Sequence, residues 1–156
     1  MTPWVLQYDF ERIYTIELGA RQWRAARKLF ENLPHITCLH GDSTQVLPGV
    51  LAELTEPALL WLDGHWSGGD TAHGDLDTPV LAELDAIFAT GVGHVVLVDD
   101  ARLFGGMSHE GEHDWPHIDA VRAVAERNGY QFVVTDDIIH LVPDERHRAR
   151  LTPAAP

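Results

Sequence analysis

Two short runs that are apolar at every position, 58–62 (ALLWL) and 95–98 (VVLV), constrain this chain more than any other feature. A half-exposed strand alternates apolar and polar residues, whereas a strand without a polar side is covered on both faces. Around these runs, β-branched segments alternate with longer amphipathic ones. Strands are expected over 12–18, 36–40, 58–62 and 95–98. The intervening stretches read as helices. The first covers 20–31, with Trp23, Ala26 and Phe30 on one side. The second covers 45–54, with a stripe of Val46, Leu47, Val50, Leu51 and Leu54. Thr78 and Pro79 read as N-cap and first-turn residue of a third helix that buries Leu81, Leu84, Ile87 and Phe88. Pro116 opens a fourth, carrying Ile118, Val121 and Ala125 and ending at Gly129. Strands over 130–135 and 138–142, joined by Asp136 and Asp137, suggest an antiparallel hairpin. This order predicts an α/β fold with a mostly parallel sheet, helices on both faces and an antiparallel strand supplied by the hairpin.

The 156 residues fit one domain, expected over 1–145 with a flexible tail over 146–156. A formal charge of −13 repels phosphate backbones and argues against nucleic acid as a partner. No apolar run approaches the roughly 20 residues that a membrane span needs. The lone cysteine, Cys38, lies in an apolar segment; it reads as a small core residue in a chain suited to a reducing cytoplasm. His109, His113 and His117 recur every four residues, as on a metal-binding helix face. Gly111 and Pro116 argue instead for a polar loop.

In open α/β sheets, ligands bind beyond the carboxyl ends of the strands. Here each of the first four strands ends at an acid: Glu17, Asp42 with Ser43, Asp63, and Asp99 with Asp100. A core does not require such a row. Glu17 could accept two hydrogen bonds from a ribose diol, with Asp42 and Ser43 set towards an adenine edge. As a structural alternative, Asp42 is a helix cap. Asp63, Asp99 and Asp100 supply hard oxygen donors for Mg²⁺ or another divalent cation. Two adjacent acids after a buried strand repel each other unless something cationic neutralises them. Asp63 and His65 are the candidate catalytic residues, in a glycine-rich loop that continues to Asp77.

The segments YTIEL, HGDS, LLWLDGHWSGGDTAHGDLDTP and VVLVDDARLF resemble class I S-adenosylmethionine-dependent methyltransferases. The combination LDGHWSGG…DTP…DDARLF is the specific part of the match. The resemblance implies a Rossmann-like sheet and S-adenosylmethionine as cofactor. Glu17, Asp42, Ser43 and Asp63 then serve as cofactor-side residues. Asp63, Asp99 and Asp100 match the metal triad of magnesium-dependent O-methyltransferases, although the 36 residues from Asp63 to Asp99 exceed the usual separation. The implied reaction is metal-assisted O-methylation of a small molecule. One departure stands out: the family's glycine-rich first loop has no counterpart, because residues 1–11 contain no glycine. The central strand before that loop, which belongs between the strands ending at Glu17 and Asp63, is therefore expected to be missing. Catalysis would then depend on a segment outside these residues, and exposed edges around the gap would invite homo-oligomers. A non-catalytic methyltransferase-like binding domain and a metal-dependent hydrolase are the alternatives.

Overall fold

A computed structural model describes residues 7–64, 78–105 and 115–144. In chain order these form β1 (Ile13–Glu17), α1 (Ala20–Leu29), β2 (Ile36–His40), α2 (Ser43–Glu53), β3 (Leu59–Leu62), α3 (Val80–Ala89), β4 (Val95–Val98), a 3₁₀ turn (Ala101–Gly105), α4 (Ile118–Arg127), β5 (Tyr130–Thr135) and β6 (Ile138–Pro143). The chain is thus a mixed α/β structure, as the alternation predicts. The expected tail and most of the 63–77 loop, including His65, lie outside the described residues, as do His109 and His113.

The strands form two sheets rather than the single sheet expected. β1 pairs with β2 in parallel, and a four-stranded sheet runs β3-β4-β6-β5. In the second sheet β3 and β4 are parallel, whereas β6 is antiparallel to both β4 and β5. The division falls between β1 and β3, at the place where the sequence reading expects a strand to be missing. It also explains why β3 departs from expectation. Although wholly apolar, β3 leaves Leu59 38% exposed, because among the described residues nothing pairs with its outer edge.

The core lies where α3 and α4 meet the four-stranded sheet. Leu84, Ile87, Val96, Val121, Ala125, Ile139 and Leu141 are fully enclosed there, and α2 adds Leu47 and Leu51. β6 alternates half-buried and buried residues along its length, the period of a strand with one face on the core. By contrast α1 has no fully buried residue. It is held to β2 through Trp23, whose indole N–H donates to the Cys38 carbonyl at 3.1 Å and whose ring stacks on His40. Arg27 also lies over the Trp23 ring, its guanidinium 5.0 Å from the centroid.

Candidate functional site

Each strand-end acid owes its position to the turn that follows its strand. After β2, Gly41 takes a φ of 146°, and its N–H donates to the Glu17 carbonyl at 3.1 Å. The turn delivers Asp42 to the start of α2, where its Oδ1 accepts from the Thr44 N–H at 2.8 Å and from the Thr44 hydroxyl at 2.7 Å. Asp42 is therefore the N-cap of α2, the structural alternative to an adenine contact. Its carboxylate satisfies one orphan amide, that of Thr44, which is why α2 begins two residues before the expected start.

After β4 the chain turns sharply. Asp100 has a φ of 56°, and its N–H donates to Asp99 Oδ1 at 2.9 Å. The cation that the acid pair requires is a side chain: Arg102 Nη1 lies 2.7 Å from Asp100 Oδ1. Arg102 is shared with the β5–β6 turn. Its guanidinium pairs with Asp137, and its N–H donates to Asp137 Oδ1 at 2.8 Å. The Asp137 carbonyl accepts from the Ala101 N–H at 2.8 Å. The hairpin thus clamps the turn that carries Asp99 and Asp100.

At the carboxyl end of β3 a small recess of about 10 Å³ opens between Asp63, Gly64, Glu83, Asp99, Phe104 and Trp115. Phe104 and Trp115 meet edge to face, 4.9 Å between centroids. The structure brings Asp63 and Asp99 together at this cleft. It also sets the Glu17 carboxylate near enough to Asp63 to feel its charge: burial chiefly, and Asp63 in addition, push the Glu17 carboxyl up from the ordinary value of 4.5.

The cleft contains one acid that sequence reasoning missed. Glu83, in the first turn of α3, is only 4% exposed. Burial pushes its carboxyl up, the neighbouring Asp42 adds to the rise, and a hydrogen bond from Ser43 opposes it. In sequence, Glu83 looks like a favourable acid at a helix start. The available signal was its position between Val80 and Leu84, on the side of α3 that faces the core.

The described residues offer the expected metal no ready set of ligands. Among the described residues, no three His, Cys, Asp or Glu side chains are grouped so as to hold a metal ion. Asp100, moreover, is engaged by Arg102. Cys38 is no activated nucleophile, since burial pushes its thiol up despite the opposing charge of Arg27. Among the described residues no helix is long and apolar enough to cross a membrane. Comparison with protein-family models and with curated proteins finds no match.

Proposed function

We propose that the chain is a methyltransferase-like domain that holds the nucleoside side of S-adenosylmethionine at its strand-end acids and serves methyl transfer to an oxygen of a small molecule. The observation that carries this reading is that Glu17 ends β1 and Asp63 directly follows β3, each at the carboxyl end of its strand, with the charge of Asp63 felt at Glu17. An acid at that end of β1 is suited to a ribose diol, which offers two donors to two carboxylate oxygens. When bound, S-adenosylmethionine supplies a methyl group on a positively charged sulfur. The Asp63 carboxylate, at the wall of the cleft, would serve as the base that takes the proton of the acceptor hydroxyl. Phe104 and Trp115 form the apolar side of that cleft. Asp99 and Asp100 act here as turn residues and as the charged rim of the cleft, and no step passes through a metal. The single cysteine and strong negative charge support a cytoplasmic setting and a small-molecule partner.

Calorimetric titration with S-adenosylhomocysteine tests the reading. Binding is expected, and Glu17→Gln should weaken it about tenfold, the loss of roughly one charge-assisted hydrogen bond. Absence of binding sinks the proposal. It leaves the second reading, a non-catalytic domain of the same architecture, which the edges of β1 and β3 left unpaired among the described residues favour as a surface for another polypeptide.

A further inference from the structure

The two sheets end in edges that lie under one helix. α2 packs on β1 and puts Leu47 and Leu51 into the core cluster that holds Leu62 of β3. Ile16 of β1 packs against that same cluster. The two strands also run the same way, since Glu17 ends β1, Asp63 follows β3, and the two acids lie at one end. β1 and β3 nevertheless do not pair. Paired strands stand about 4.8 Å apart, and a helix covers about 10 Å. The break beneath α2 is thus about two strand spacings wide, which is room for one further strand.

Both rims of this slot carry unused backbone groups. The N–H and C=O of one strand residue point to the same side, and those of the next residue to the other. In β1, Ile13 donates to His35 and Glu17 accepts from Gly41, so the groups of Tyr14 and Ile16 face the slot. In β3, Ala58 and Leu62 accept from Val95 and Asp99, so those of Leu59 and Trp61 face it from the opposite rim. Among the described residues these groups have no hydrogen-bond partner. The rim strands are also apolar, with Ile16 and Leu60 on the core side and Leu59 and Trp61 on the other.

We propose that this slot takes one extended segment of another polypeptide, inserted between β1 and β3 so that the two sheets join into one. Three features select this occupant. A second copy of the chain offers strands that already lie in sheets, and the edge of a sheet meets one rim but not both. A helix has its own backbone groups paired and leaves the rims unsatisfied. An extended run of about five residues matches the five of β1 and offers alternate residues to each rim. Such a segment needs its N–H groups, which excludes proline, and β-branched residues suit its apolar surroundings. Beside Glu17 and Asp63, on a chain of formal charge −13, it is neutral or basic rather than acidic.

The assignment deepens the polypeptide-binding reading and rests on it, independently of methyl transfer. The full chain, dilute and without cofactor, is titrated with acetyl-Lys-Thr-Val-Ile-Val-Thr-Lys-amide and followed by residue-resolved hydrogen exchange. The amides of Tyr14, Ile16, Leu59 and Trp61 should slow together by at least about tenfold, saturating at one peptide per chain. The same peptide with proline in place of isoleucine should protect none of them. Tyr14→Pro removes an N–H that β1 does not use in its ladder with β2. It should weaken the peptide at least about fivefold while exchange at Ile139 and Leu141 is unchanged. Leu59→Pro makes the same test from the other rim if Tyr14→Pro does not fold. Protection of one rim alone would leave a polypeptide-binding domain and overturn the insertion. No protection at millimolar peptide, equal protection by the proline peptide, unchanged affinity in the proline variants, or both rims protected before peptide is added would each overturn it as well.

Discussion

At the scale of single residues, buried polar groups with one partner or none respond most sharply to change. His94 is fully enclosed before β4, and its Nδ1 accepts from the Ala58 N–H at 3.1 Å, which places the remaining proton on Nε2. Burial holds the imidazole below its usual value of 6.5. As pH falls, the unfolded chain takes up this proton first, so stability rises with pH across the window between the two values. His94 thus contributes stability that is present above about pH 6.5 and lost as pH falls through the lower folded-state value. His94→Asn keeps an acceptor for Ala58 and should flatten the acid side of a plot of urea midpoint against pH. An unchanged slope would remove His94 as its cause. Gly41 offers a second case. Its φ of 146° disfavours any side chain, and a Cβ there would stand 2.9 Å from Val46 Cγ2. Gly41→Ala should cost about 1–3 kcal/mol in chemical unfolding, and a loss below half a kcal/mol would show that the turn relaxes freely. The candidate site was only partly readable at this scale. Acids at strand ends are visible because their strands are. Arg102 on Asp100 depends on a contact between segments that no local pattern encodes, whereas Glu83 was marked only by its place on the apolar side of α3.

At the scale of elements, what could be read from sequence follows periodicity. β2, β4 and β5 occupy the expected spans because apolar runs closed by glycine or acids leave few alternative boundaries. Helix starts shifted where a cap competes with the hydrophobic stripe. The third helix begins at Val80 with Pro79 as N-cap, and the Thr78 hydroxyl accepts the Val80 N–H at 3.4 Å from one residue further out. The second begins at Ser43 because Asp42 caps it, even though this start leaves Pro48 inside the helix. The β5–β6 hairpin was expected from its two-residue turn, and both turn residues have positive φ, 52° at Asp136 and 65° at Asp137. Its second role, clamping the turn after β4, was hidden. A matched pair of substitutions separates the two roles. Asp136→Gly and Asp137→Gly both relieve a positive φ. Only Asp137→Gly removes the carboxylate that holds Arg102. Thermal unfolding should therefore find Asp136→Gly neutral or stabilising, and Asp137→Gly less stable than it by about 1–2 kcal/mol. Equal effects would mean that the clamp contributes nothing.

At the scale of the whole molecule, the division into two sheets decides which parts are firm. Among the described residues, the four-stranded sheet and the helices on it bury every fully enclosed apolar side chain, whereas β1 is only half-buried throughout. The ladders also fix which amides face the break. Ile13 donates to the His35 carbonyl and the Glu17 carbonyl accepts from Gly41, so alternate residues of β1 face β2 and the amides of Tyr14 and Ile16 point away from it. In β3 the carbonyls of Ala58 and Leu62 accept from Val95 and Asp99, which turns the amides of Leu59 and Trp61 outward. Hydrogen exchange followed residue by residue should find these four amides exchanging at least about a hundredfold faster than those of Ile139 and Leu141, since the latter open only with the core. The concentration dependence carries the rest of the argument. An unpaired parallel edge is a template for another strand. If Tyr14, Ile16, Leu59 and Trp61 are protected in concentrated protein and lose that protection on dilution, the edges pair between molecules. Protection equal to the core at every concentration would overturn the two-sheet arrangement itself.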